Sequence, residues 1–278
     1  MQLAYNPGLF NPLLKKCEGK VKTFLAALMV LLLTAPLHAQ WTKLPAPAIP
    51  KTADGKPNLS APAPRAADGH PDLSGIWEQN GNRYTQNIAA DLKPSDVPFQ
   101  PWAKQLADSR ADGSQSKGDP PANCLPQGVP RVNAAPPPWK IIQKPDLIVI
   151  LYESHSVYRQ IFLDGRELED DYVPAWLGYS TGKWDGDTLV VETKGQNGKA
   201  WLDQMGKPAT DAVHVTERFH RTDAGHMDLQ ITIDDPKAYT KPWTITEKVH
   251  LLTNTELMED ICNENNRDVN HLPGAALK

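Results

Sequence analysis

The feature that most constrains the fold is a series of short, apolar, β-branched segments separated by turn signals, which begins at Trp139. Asp164-Gly165 is a strong hairpin signal, and Asp185-Gly186-Asp187 separates two further segments. Connections this short join antiparallel neighbours, because parallel strands need long crossovers. The predicted strands are 140–152 with a break at Pro145-Asp146, 157–163, 178–184, 188–193, 213–220, 227–233, 244–252 and 257–262. This mainly β pattern predicts an antiparallel up-and-down barrel, with a two-sheet sandwich as the alternative.

The first 39 residues have the layout of a secretory signal peptide. A lysine-rich segment precedes an apolar run of 12 residues at 24–35, and Ala39 is a small residue at a cleavage position. The run is too short to cross a membrane, although an uncleaved anchor is the alternative. We therefore expect residues 1–39 to be removed and the mature protein to be periplasmic or secreted, with no membrane insertion afterwards.

The order of composition along the chain predicts one folded domain. Residues 40–70 are rich in Pro and Ala and are expected to form a linker. This stretch contains a turn sequence at 52–60 that is nearly repeated at 66–74. Residues 71–278 are expected to form a single barrel domain with a loop and helix insert at about 87–138. One short helix is predicted there, at 99–111, with Trp102, Ala103 and Leu106 on one face.

The charge balance excludes some classes of partner. The chain has a formal net charge of −4 at pH 7, and its first 39 residues carry four lysines and one glutamate. The mature chain is therefore more acidic than the whole, which argues against nucleic acid as a partner. The sequence contains no phosphate-binding loop and no dinucleotide fingerprint, so we expect no cofactor.

Two cysteines follow the predicted signal peptide, Cys124 and Cys262. An even pair in an oxidising compartment predicts a disulfide. A reactive thiol or a metal site is the alternative, but neither cysteine has another ligand at metal-binding spacing. No metal site is therefore predicted.

Alternation along three predicted strands puts one carboxylate on each otherwise apolar face. These carboxylates, with their same-face neighbours, are Glu217 beside Val215 and Phe219, Glu247 beside Ile245 and Val249, and Glu259 between Leu257 and Ile261. A buried carboxylate must be paired, protonated or in contact with a wet cavity. Arg159, Tyr158 and Arg218 are candidate partners. The pattern fits either a ligand cavity with acidic groups in its wall or a structural ion-pair network.

Two other patterns have simpler explanations. Residues 178–182 match G-x-S-x-G, but a nucleophile at Ser180 would need a following helix, and a strand is predicted instead. Eight tryptophans could form a flat binding platform, although tryptophans spread along a barrel more often pack in its core and rim.

Gly75-Ile76-Trp77 at the start of the strand series resembles the Gly-x-Trp opening of lipocalins and other calycin barrels. Several segments also resemble a group of uncharacterised exported bacterial proteins: 124–126, 159–165, 184–193, 214–219 and 262–265. The calycin resemblance implies a barrel that either carries a small, mostly apolar molecule or works as a cofactor-free enzyme. A long Pro-rich insert between Gln86 and Pro138 departs from the lipocalin pattern.

Three functional hypotheses follow from these patterns. The first is a small organic ligand bound in the barrel by Glu217, Glu247, Phe219, Trp77 and Trp184. The second is a cofactor-free lyase, hydratase or isomerase. Its catalytic residues would be Glu217 as general acid or base, Glu259 tuning it, Arg159 orienting an anionic group and Tyr158 donating a proton. The third is a carbohydrate-binding or cell-envelope-binding module that uses exposed tryptophans.

Overall fold

The computed structural model describes residues 49–169, 171–264 and 266–275, and the predicted signal peptide lies outside this range. Alternating β-branched and polar residues form nine strands, and two α-helices lie in the segment before β2. The strands are β1 Gly75–Gln79, β2 Trp139–Gln143, β3 Leu147–Tyr152, β4 Val157–Phe162, β5 Tyr179–Asp185, β6 Thr188–Lys194, β7 His214–Arg221, β8 His226–Asp234 and β9 Trp243–Leu252. The helices are α1 Arg83–Gln86 and α2 Pro101–Arg110.

The nine strands form a closed barrel in sequential order. β9 pairs with β1, for example Leu251 with Trp77, so the sheet has no free edge. The barrel prediction is confirmed, and the sandwich alternative is wrong.

The junction between β4 and β5 differs from the predicted antiparallel order. These two strands are parallel and share only two pairs, Ile161 with Ser180 and Phe162 with Thr181. The prediction of a hairpin at Asp164-Gly165 is therefore wrong. The local turn does form, but residues 163–178 then cross back so that β5 starts at the same end of the barrel as β4.

The strand predicted at 257–262 is also wrong. Residues 253–261 contain no strand, and Cys262–Glu264 is a short 3-10 helix. The reason is the closure of the barrel: β9 already pairs with β8 on one side and with β1 on the other. No strand edge remains for this segment to join.

The two copies of the repeated turn adopt the same backbone pairing. Lys51 bridges to Pro57 in the first copy, and Arg65 bridges to Pro71 in the second. The second copy continues into β1, as predicted.

Both copies contact the end of the barrel formed by the β5–β6 and β7–β8 turns. In the first copy, the backbone oxygen of Ala61 accepts a hydrogen bond of 2.8 Å from the Ala224 amide. In the second, Arg65 binds the Asp187 carboxylate with two hydrogen bonds of 2.5 and 2.7 Å. The part of the expected linker that the structure describes therefore lies against the barrel instead of extending from it.

Helix α2 confirms the predicted helix but not its buried face. Ala103 and Ala107 are buried, whereas Trp102 is 46% exposed and donates its indole hydrogen to the backbone oxygen of Lys237, at 2.8 Å. Small side chains allow the helix backbone to approach the barrel closely. Within the described residues, no helix combines the length and apolar character needed to cross a membrane.

Candidate functional site in the barrel interior

A polar cluster lies inside the barrel among apolar side chains. Alternation directs one residue in two from each strand inward, and most of the inward residues are apolar and buried. The polar members of this cluster, all buried, are Gln79, Asn133, Tyr152, Arg159, Ser180, Thr193, Glu217 and Glu247. We call this set the interior polar cluster. So many polar groups in a barrel interior need an explanation, because burying them is costly unless they are hydrogen-bonded.

Arg159 of β4 and Glu217 of β7 form the central ion pair of the cluster. The Arg159 Nη2 group donates to Glu217 Oε2 and, at 2.6 Å, to Thr193 Oγ1. Its Nε–H donates to Ser180 Oγ at 2.9 Å. Although burial opposes the charged form, the Glu217 carboxylate outweighs it and raises the pKa of Arg159, so the guanidinium stays charged.

A loop residue, Asn133, completes the coordination of Glu217. Its side-chain amide donates to Glu217 Oε1 at 2.6 Å, and its side-chain oxygen accepts from the Tyr152 hydroxyl at 2.7 Å. Its backbone oxygen accepts from the Trp139 indole at 3.1 Å. The segment that carries Asn133 thereby enters the interior, held also by the buried ion pair between Arg131 and Asp119 at 2.7 Å.

Glu247 of β9 lies in the same interior as Glu217 and has a different environment. Its only hydrogen-bond partner among the described residues is the side-chain amide of Gln79, which donates to Oε2. Burial, and next the negative charge of Glu217, raise the pKa of Glu247 to about 8, against the opposing effect of Gln79. Glu247 is therefore a mostly neutral carboxylic acid at pH 7, whereas Arg159 and Glu217 form a charged pair.

Three interior polar atoms have no hydrogen-bond partner within the described part of the chain. These atoms are Arg159 Nη1, Glu247 Oε1 and the indole nitrogen of Trp243. Trp243 is on the same face of β9 as Glu247, because the two residues are four positions apart. An unpaired buried polar group typically costs about 1–3 kcal/mol. The interior therefore offers hydrogen-bonding capacity that the protein itself does not use.

The structure brings together some predicted site residues and separates others. Arg159, Glu217 and Glu247 meet in the interior, with Phe219 and Trp77 fully buried among the apolar side chains. Trp184 is half-buried near the end of β5 and stacks on His70, with ring centroids 4.5 Å apart.

Tyr158 and Glu259 lie apart from the cluster. Tyr158 follows the opposite alternation to Arg159 and is 64% exposed, so it points out of the barrel. Glu259 is exposed in the segment after β9. Arg218, a further candidate partner, binds Asp185 on the outer surface at 2.7 Å. The prediction that these side chains act on the interior carboxylates is corrected accordingly.

Five members of the cluster were missed by the sequence analysis as interior partners: Gln79, Asn133, Tyr152, Ser180 and Thr193. Four of them lie on strands, and alternation with Trp77, Ile150, Gly182 and Val191 would have found them. Asn133 lies in a 3-10 helix, and no periodic signal marks it.

Ser180 and the tryptophans have structural roles. Ser180 is buried and bonded to Arg159, in a strand that a short turn connects to β6, so it has no nucleophile geometry. Trp77, Trp139, Trp201 and Trp243 are buried and cannot form a surface platform. Among the described residues, no group of His, Cys, Asp and Glu could hold a metal ion.

Cys124 and Cys262 form a disulfide with Cα atoms 5.5 Å apart, as predicted. The bond connects the segment before Asn133 to the segment after β9. It thus holds two loops together outside the interior polar cluster.

Four cavities of about 160 to 420 Å³ lie on the outside of the barrel. The largest is lined by Arg166, Lys183, Glu192 and His214, whose side chains include both charge signs. In this outer cavity His214 and Glu192 bind each other at 2.6 Å. The unpaired interior atoms therefore distinguish the interior from these surface sites.

The strand pairing and the interior polar cluster define a closed nine-stranded β-barrel with a polar centre. Solved structures of the fluorescent protein UnaG are similar to it at 15% sequence identity. The wild-type structure covers 65% of this chain and 97% of its own, with a TM-score of 0.32; a point mutant covers 66% and 97%, with a TM-score of 0.31. No protein-family model and no curated protein matches the sequence.

Proposed function

We propose that this chain is an exported protein that binds a small organic molecule inside its barrel. The observation that carries the proposal is the pair of unpaired polar atoms, Arg159 Nη1 and Glu247 Oε1, in an otherwise apolar and buried interior. A purely structural ion-pair network would be expected to satisfy its own members, because unpaired buried groups are destabilising. Barrels of about eight strands are wide enough to hold one small ligand.

Export rests on the sequence of residues 1–39, with its basic segment, short apolar run and small residue at a cleavage position. The disulfide between Cys124 and Cys262 supports it, since such bonds persist in oxidising compartments. Localisation in the periplasm or outside the cell is part of the proposal.

The barrel ends suggest how such a ligand would be held. The turns at 51–57 and 65–71 lie at one end, and the segment with Asn133 enters the interior. A ligand enclosed in this way exchanges slowly, so we expect it to remain bound during purification.

The experiment is mass spectrometry of small molecules extracted from the protein purified from its native source. We expect one organic molecule per chain in the wild type. Arg159→Lys, which keeps a cation for Glu217 but loses the planar guanidinium, should lower the amount bound. Tyr158→Phe on the same strand is the matched control and should leave it unchanged, because this side chain points outward. A wild-type protein that releases no organic molecule would contradict the proposal.

The raised pKa of Glu247 favours a second candidate, a cofactor-free lyase, hydratase or isomerase. A buried carboxylic acid that is neutral at pH 7 can donate a proton to a bound substrate. In this candidate Glu247 takes the proton-donor role, and Arg159 orients the substrate. Incubation of the extracted molecule with fresh protein separates the two candidates. Conversion by the wild type but not by Glu247→Gln would support the enzyme, and an unchanged molecule would support the carrier.

A further inference from the structure

We propose that the part of the ligand that reaches the interior polar cluster is a hydrogen-bond acceptor, a carboxylate or carbonyl oxygen, which Arg159 Nη1 and the Glu247 carboxyl bind as donors. This inference rests on the proposed function, because it specifies the ligand of the same site. It excludes amines and other ligands whose polar group can only donate.

The first step is the hydrogen-bond inventory of Arg159. Its Nε–H and Nη2 groups are used by Ser180, Thr193 and Glu217, all of which are buried. Nη1 has no acceptor among the described residues. A guanidinium has donors and no acceptor, so only an acceptor can satisfy Nη1.

The second step is the orientation of the Glu247 carboxyl. Gln79 donates to Oε2, so a proton on this carboxyl lies on Oε1, the atom without a partner in the described structure. The titratable groups that act on it are Glu217 from β7 and Tyr84 from α1. Burial and the charge of Glu217 both favour the protonated form at neutral pH. Under these conditions Oε1 carries a hydroxyl that donates.

The third step is the sign of the remaining unpaired atom. The indole nitrogen of Trp243 is a donor only, and it is buried on the same strand face as Glu247. All three unpaired interior atoms are therefore donors at neutral pH. A ligand that presents acceptor oxygens satisfies them, whereas an ammonium group would leave them unpaired and would itself be buried without an acceptor.

The test uses three probes of similar length: octanoate, 2-octanone and octylamine. Their apolar chains suit the aliphatic and aromatic interior, and they differ in the polar group. Isothermal titration calorimetry of the whole protein at pH 6.5 should show octanoate or 2-octanone binding at least about tenfold more tightly than octylamine, since one good hydrogen bond to a charged group is worth that much.

Variants of Glu247 test its role as a donor. Glu247→Leu removes the donor and should weaken binding of the preferred probe about tenfold. Glu247→Gln places an amide N–H at the position of Oε1 and should restore the affinity. For octanoate, affinity in the wild type should fall as pH rises from 7 to 9, because Glu247 loses its proton and becomes an anion. In Glu247→Gln this fall should disappear.

The outcomes separate this inference from the proposed function. Octylamine binding as tightly as octanoate and 2-octanone would overturn the acceptor assignment and leave a binding barrel. An extracted native molecule whose polar groups only donate would do the same. If none of the probes binds and extraction releases no organic molecule, the proposed function itself fails.

Discussion

Arg159 on β4 and Glu217 on β7 form an ion pair inside the barrel, with side-chain exposures of 2% and 0%. The two residues are 58 positions apart in sequence and belong to strands that are not neighbours in the sheet. They therefore meet across the interior and not along the barrel wall. This pair connects the stability of the barrel to its candidate binding site.

Removing one partner of this pair should be strongly destabilising. Arg159→Met leaves the Glu217 carboxylate buried without its counter-charge, and we expect a loss of about 3–5 kcal/mol in the free energy of unfolding. The double variant Arg159→Met/Glu217→Leu should be more stable than the single variant, since no lone charge remains. Urea denaturation measures these values. The exposed pair of Arg65 and Asp187 provides the control: Arg65→Met should cost much less. Equal losses for the two single arginine variants would contradict the buried-pair interpretation.

Glu247 should make stability depend on pH. Its pKa is about 8 in the folded protein and near the ordinary value of 4.5 in the unfolded chain, so the folded state holds more protons between these values. The stabilisation is complete at low pH and is lost as pH rises through about 8.

Unfolding measured from pH 5 to 9 in the wild type and in Glu247→Gln isolates this contribution. Relative to the variant, the wild type should lose up to about 1.4 kcal/mol per pH unit and level off above pH 8. Parallel curves for the two proteins would show that Glu247 titrates normally.

The disulfide should be detectable by thiol counting and by stability. The chain has three cysteines. Denatured without reductant, the full chain should therefore show one free thiol, that of Cys17. Cys124→Ser and Cys262→Ser should each lower stability by about 2–5 kcal/mol, and the double variant should be no worse, because all three break the same bond. Three free thiols before reduction would rule out the bond.

Gly178 and Gly186 allow a test of close packing at matched backbone conformation. Both have positive φ, +63° and +58°. A Cβ at Gly178 would lie 2.4 Å from the backbone oxygen of Lys194, whereas nothing lies within 4 Å at Gly186. Gly186→Ala should cost about 1–2 kcal/mol from the left-handed conformation alone. Gly178→Ala should cost about 3 kcal/mol or more, because the neighbouring backbone must also shift. Thermal or urea unfolding of the two variants compares them, and equal losses would contradict the packing argument.

The outcomes at Glu217, Glu247 and Glu259 show how far alternation can be trusted. The same pattern predicted an apolar face for all three, and the first two are fully buried in the barrel. Glu259 is exposed, because its segment would need a strand edge and both edges of β9 are already occupied. Alternation predicts which way a side chain faces only if the segment is a strand.

The sequence by itself determined the strand series from 139 to 252, the inward direction of Glu217 and Glu247, and the pairing of Cys124 with Cys262. These features depend on local alternation, turn residues and a simple count of cysteines. The tertiary structure alone decided that β4 and β5 run parallel and that Asn133 enters the interior. It also decided which donors are left without a protein partner. Those outcomes depend on contacts between residues far apart in the chain, and local patterns carry no information about such contacts.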